Sequence, residues 1–169
     1  MPRAVLTPPE ELLVAPQGAA ADTDEAMSEE NIEVIRRGVA LTNESNDMQD
    51  VEAAVAELYH PDVELRDLQH PPDVPEVVKG HAGVLAGLQS WMALFDDWSA
   101  EVHEYIDADP WVVCDTQWRA TGKGSDVSVD WRVADAHEVK DGKIVREIYG
   151  FPDVDAALRA VRADGKAKP

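Results

Sequence analysis

Two ionisable side chains a single residue apart, the carboxyl of Asp135 and the imidazole of His137, lie in the stretch WRVADAHEVKDGKIVREIYGFPD, which runs from Trp131 to Asp153. Within it, Asp141-Gly142 suits a two-residue type I′ hairpin, because both positions tolerate positive φ. Side chains alternate along a strand, so counting back from the turn puts Trp131, Val133, Asp135, His137 and Val139 on one face. The other face takes Asp130, Arg132, Ala134, Ala136 and Glu138, a set that water tolerates. The ionisable pair thus falls among apolar neighbours. Burial raises a carboxyl toward neutrality, where it can accept a proton and give it back. Histidine titrates near neutrality unaided. This is the raw material of proton transfer in a pocket.

Other residues could join them, each with a plainer reading. In an unbroken hairpin register His137 faces Arg146 and belongs to a polar cluster; a bulge after the turn exchanges Arg146 and Ile148 with Glu147 and Tyr149, and both arrangements stay open. Tyr149 could donate a hydrogen bond to a developing enolate oxygen, or simply pack its ring at an edge. Trp131 and Val133 share the face of Asp135 and are expected in a substrate-binding wall with Trp91 and Trp118, although tryptophan more often fills a core or an interface. Asp67 and His70, near the end of an earlier strand, could line the same pocket. His81 is a further substrate-binding candidate, or the opening residue of a helix. Cys114 reads as inert packing on an apolar strand face. No compact ligand spacing supports a metal site, no phosphate or dinucleotide fingerprint is present, and Lys123 is too isolated to cradle phosphate. No cofactor is expected.

The elements that must position these residues can be read from periodicity. Ser28 is a suitable N-cap, with Glu29 and Glu30 in the first turn, and Ile32, Ile35 and Val39 carry a first helix to about Thr42. Val51, Ala54, Val55, Leu58 and Tyr59 form the stripe of a second helix, stopped at His60-Pro61. The run VELRDLQH reads as a strand with Val63, Leu65, Asp67 and Gln69 on one side, followed by a proline-rich loop. A third helix begins near Gly80-His81 and carries Val84, Leu85, Leu88, Trp91, Met92 and Phe95. Strands are expected at about 99–107, 111–121, 127–139 and 143–151, and Asp153 or Asp155 caps a short last helix. The fold class is α+β: three N-terminal helices packed on one face of a curved antiparallel sheet.

Length and charge bound the rest. The 169 residues suit one domain, and a net charge of −19 argues against nucleic acid and anionic membrane as partners. One cysteine rules out an internal disulfide and fits a reducing compartment, so a cytoplasmic location is expected. Residues 1–27 break every apolar run with proline or acid and read as a disordered tail, with Met27 a plausible alternative start. The domain is expected at 28–162, with a short tail at 163–169.

Four segments, in order, resemble the SnoaL-like group of the nuclear transport factor 2-like superfamily: SEENIEVIRRGVALTN, LYHPDVELRD, KGHAGVLAGLQSW and VADAHEVKDGKIVREIYGFPD. The resemblance implies a cone, a cystatin-like α+β barrel in which a bent sheet wraps helices around a pocket, and homodimers that pair through the outer sheet surface. It also implies a general acid/base at Asp135, the position aligned with the aspartate of the related polyketide cyclases. Val133, His137 and Glu138 depart from the cyclase pattern around that aspartate, and Glu147 stands where those enzymes tend to carry a second histidine. The epoxide-hydrolase pattern of the superfamily is not met, since Asp115, Arg119 and Asp130-x-Arg132 have the wrong spacing or order. The expected function is cofactor-independent acid/base isomerisation, cyclisation or dehydration of a hydrophobic carbonyl compound, with Asp135, His137 and Tyr149 catalytic. The alternative is a binding or dimerisation module of the same fold without turnover.

Overall fold

The computed structural model describes residues 19–45, 47–70 and 72–167, with side chains from 28 to 165. Its elements run α1 (Ala19–Glu44), α2 (Met48–Leu58), β1 (Tyr59–Asp67), β2 (Val77–Lys79), α3 (Gly80–Leu94), β3 (Phe95–Ala108), β4 (Trp111–Gly122), β5 (Ser128–Lys140), β6 (Lys143–Phe151) and α4 (Val154–Ala167). One curved sheet takes the order β2-β1-β6-β5-β4-β3. The α+β class is as expected, with two corrections to the architecture. Strand β1 runs parallel to β6, so the sheet is mixed, and the short β2 closes its edge against β1. There are four described helices, and they do not all share a face.

Helices α1, α2 and α3 fill the inner face. Ile32 and Ile35 of α1 and Leu58 of α2 pack against Val112, Cys114, Val139 and Ile144. Val51 and Val55 of α2 meet Val63 of β1 and Val84 of α3. Helix α2 is capped by Asp47, whose carboxylate accepts from the N–H groups of Gln49 at 2.9 Å and Asp50 at 3.0 Å. Helix α1 does not start at Ser28. It begins at Ala19, where three consecutive alanines favour a helical backbone. The expected tail therefore lies outside the described residues only as far as residue 18. At the other end of α1, Asn43 grips the edge strand like a paired residue, donating to the Ala100 carbonyl at 2.9 Å and accepting from the Ala100 N–H at 2.8 Å.

Helix α4 covers the outer face. Ala157 and Val161 pack on Trp111, Val113, Ala134, Ala136 and Phe151. The face expected to be tolerant of water is therefore buried at Ala134, Ala136 and Glu138. Arg146 fixes the contact, with its guanidinium on the Asp164 carboxylate, on Glu138, and 4.7 Å from the centre of the Trp111 ring. Asp153 caps α4 by accepting from the Ala156 N–H at 2.7 Å. Beyond α4 the outer face is charged, with Arg132 paired to Asp115 and Arg119 to Glu101 and Asp130.

Candidate active site

The β5–β6 hairpin decides what faces inward. Asp141 (φ 51°) and Gly142 (φ 71°) form the expected turn, and the first pairs are Lys140 with Lys143 and Val139 with Ile144. The register then slips by one residue on β6, so that Glu138 pairs with Arg146 and His137 with Glu147. An unbroken register would have set Arg146 against His137. The bulge turns Glu147 and Tyr149 to the inner face and sends Arg146 out to α4.

A second slip lies opposite Asp135. Ala136 pairs with Ile148 but Ala134 with Phe151, so one extra residue of β6 is accommodated there. Gly150, at φ 90°, takes the strained conformation of that bulge, and its N–H donates to Asp135 Oδ1 at 3.1 Å. The sequence reads as a strand throughout; only the glycine hints at the break. A Cβ on Gly150 would sit 2.8 Å from Gln69 Cγ and 3.2 Å from its Cδ, so that side chain, whose Nε2 donates to the Gly150 carbonyl at 3.3 Å, would have to shift, and the φ strain would remain. Gly150→Ala should therefore lose about 1–3 kcal/mol in chemical denaturation. Stability unchanged within error would show that this backbone conformation is not required.

Asp135 is 4% exposed, and loss of hydration pushes its carboxyl up to about 7, against the pull of His137 and the Gly150 N–H. His137 and Glu147 are also enclosed, with His137 Nδ1 and Glu147 Oε2 3.6 Å apart. That separation makes an ion pair without a hydrogen bond, and Nδ1 has no other partner. Tyr59 donates from its hydroxyl to Glu147 Oε2 at 2.8 Å. Burial alone would lower the imidazole, but the Glu147 carboxylate overcomes it and holds His137 well above its usual range. Burial likewise acts to raise Glu147, and His137 overcomes it and leaves that carboxyl below its usual range. Tyr149 accepts from Trp131 Nε1 at 3.1 Å, and burial raises its phenol, so it keeps its own proton to donate.

These groups line one cavity of about 290 Å³, near the lower end of the roughly 300–1,000 Å³ of ligand pockets. Along β4 its wall runs from Cys114 through Thr116 to Trp118, with Asp135, His137 and Glu147 nearest the Cys114 end. Trp91 and Trp98 complete an aromatic end. Cys114 is packed as expected, 1% exposed in the core, and touches the cavity as well.

Of the expected site residues, Asp135, His137, Tyr149, Asp67, Trp91 and Trp118 line this cavity together. Three do not. Trp131 stands behind the wall, stacked on Trp118 with ring centres 6.2 Å apart and 5.5 Å from Trp91. Val133 is buried away from the lining. His81 spends a ring nitrogen on the Tyr59 carbonyl at 2.9 Å and joins α3 to β1. His70 likewise closes its own loop, 2.9 Å from the Val74 carbonyl. Sequence reasoning missed Tyr59 and Glu147 as site residues. Glu147 could have been found by pairing it with Tyr149, two positions on and therefore on the same face. Among the described residues no group of histidine, cysteine or carboxylates is arranged to hold a metal ion, and no helix is long and apolar enough to cross a membrane.

The SnoaL-like domain family matches residues 35–147, from the first inward helix to the carboxyl beside His137. The chain belongs to that family. The SnoaL-like fold is shared with solved structures at low identity. A candidate SnoaL-like polyketide cyclase from Jannaschia sp. is 16% identical, with a TM-score of 0.63 over 85% of this chain and 96% of that one. An NTF2-like protein of unknown function from Burkholderia pseudomallei is 19% identical, with a TM-score of 0.61 over 77% and 95%. A protein of unknown function with a cystatin-like fold from Xanthomonas campestris is 18% identical, with a TM-score of 0.59 over 75% and 94%. No curated protein is significantly similar in sequence. At such identities the SnoaL-like likeness speaks for the fold, and the chemistry has to come from the cavity.

Proposed function

We propose that this SnoaL-like protein is a cytoplasmic, cofactor-independent acid/base enzyme that isomerises, cyclises or dehydrates a hydrophobic carbonyl compound. One observation carries the reading: a carboxyl, Asp135, held by a backbone N–H at the cavity wall and poised at about 7. Such a group is half-ionised at neutral pH, so it can take a proton from the carbon next to a carbonyl and return it elsewhere. The Tyr149 hydroxyl and the His137 imidazole are the donors that meet the negative charge growing on the carbonyl oxygen. Asp67, Trp91 and Trp118 hold the ligand. No oxidant, reductant or cofactor is needed for a proton to leave one carbon and arrive at another.

The test needs no knowledge of the natural substrate. The protein should catalyse exchange of the α-protons of 2-tetralone in D₂O, followed by NMR, and Asp135→Asn should abolish it. Equal exchange in both proteins would end the catalytic reading. A protein that binds 2-tetralone without exchanging it would favour the alternative, a ligand-binding module. A homodimer through the outer sheet face is also proposed. It would have to use the charged half that α4 leaves uncovered, where Arg119 and Arg132 already have partners.

A further inference from the structure

The charges lining the cavity are unbalanced. Three carboxyls, Asp67, Asp135 and Glu147, face one basic side chain, His137, and neither lysine nor arginine is among the lining residues. The single imidazolium is already answered. Glu147 stands 3.6 Å from it, and the Tyr59 hydroxyl, 2.8 Å from the same carboxylate oxygen, keeps Glu147 in place. Asp67 accepts from the Gln69 N–H at 2.8 Å and is in no ion pair among the described residues. An anionic ligand would give up its hydration and find no free positive charge, in a chain whose net charge of −19 repels it from the start. An uncharged ligand is not repelled by these carboxyls and finds tryptophan rings, aliphatic side chains and the Tyr149 hydroxyl in the same lining.

We infer that the cavity takes an uncharged carbonyl compound and rejects organic anions, and that Glu147 sets this selectivity by filling the place beside His137 that a ligand carboxylate would otherwise take. The carbonyl in that statement rests on the acid/base function proposed above; the exclusion of anions rests on the lining alone. Glu147 is thereby a specificity-determining residue, and its removal should make the site accept what it now refuses.

Two probes of one shape, 2-acetylnaphthalene and 6-acetyl-2-naphthoate, test this through quenching of the fluorescence of Trp91, Trp98 and Trp118. For the wild type near neutral pH the ketone should bind at least ~30-fold more tightly than the naphthoate. In Glu147→Gln, at about pH 6, the naphthoate should gain affinity until the two lie within ~3-fold, and that gain should fade as pH rises, because the carboxylate then draws a proton onto His137. Loosened packing alone would weaken both probes and show no such pH dependence; that result would overturn the inference. So would a wild type that binds the naphthoate as well as the ketone, or that does not bind the ketone at all. Should Glu147→Gln fail to fold, Asp67→Asn removes one anion without touching the buried pair and should narrow the wild-type gap by ~3-fold; an unchanged gap overturns the charge argument. Binding is read here and turnover is not, so intact selectivity without α-proton exchange would count against the catalytic proposal only.

Discussion

Asp135→Asn should give a protein that no longer exchanges α-protons, slower by at least ~100-fold, and that is nonetheless more stable than the wild type above neutrality. The two effects have one cause. Burial raises this carboxyl from 3.8 to about 7, so the folded state holds a proton that the unfolded chain releases much earlier. Stability tied to that proton is complete below about 3.8 and is lost as pH climbs through about 7, by up to roughly 4 kcal/mol at about 1.4 kcal/mol for each tenfold change in acidity. Asparagine carries no charge to bury, keeps an oxygen to accept from the Gly150 N–H, and escapes this loss. Urea denaturation of both proteins at several pH values should therefore show the variant gaining on the wild type between about pH 4 and 7, then a constant lead. A lead that does not grow with pH would mean that Asp135 ionises in the folded protein as it does in water.

Glu147→Gln should behave in the opposite sense and lose about 3 kcal/mol, because it leaves the His137 charge enclosed without its partner. The pH range of the effect follows from the two groups. Glu147 sits below its ordinary 4.5, so its contribution is present above that value and lost as pH falls through the lower, folded one. His137 sits above its ordinary 6.5, so its contribution is present below that value and lost as pH rises through the higher, folded one. The deficit of the variant should be largest between these limits and shrink on either side. Titration of His137 by ¹⁵N NMR offers a direct check, since the imidazole of the variant should become neutral at lower pH than that of the wild type. A deficit that is flat with pH would show that the side chains only pack together.

Much of this fold is legible from periodicity. The α2 and α3 stripes, the alternation along β4 and β5 and the Asp141-Gly142 turn all express local preferences that tertiary contacts reinforce. The inward facing of Asp135 belongs to the same class, since strand alternation from Trp131 settles it without knowledge of the partner strand. What stayed hidden depends on pairing at a distance. The parallel contact between β1 and β6 joins segments far apart in the chain, and no local pattern announces it. The burial of Ala134, Ala136 and Glu138 depends on where α4 lands, and small or charged side chains on a strand look the same under a helix as under water. The turn leaves two registers open, His137 opposite Arg146 or, with a bulge, the alternate set, and His137 lies opposite Glu147. Trp131 was right in its face and wrong in its depth, because two other tryptophans, Trp91 and Trp118, pack against it and line the cavity in its place.

The slip between Val139 and Glu138 has a bearing on how such chambers diversify. One supernumerary residue on β6 reverses which members of the Arg146-Glu147-Ile148-Tyr149 series look inward. Loss of the bulge at unchanged length would bring a guanidinium and an isoleucine inward in place of an acid and a phenol, inverting the sign of the interior, whereas deleting the extra residue itself would keep the present facing. The presence or absence of such a bulge is therefore a better guide to what a homologous chamber admits than the letters of the strand alone.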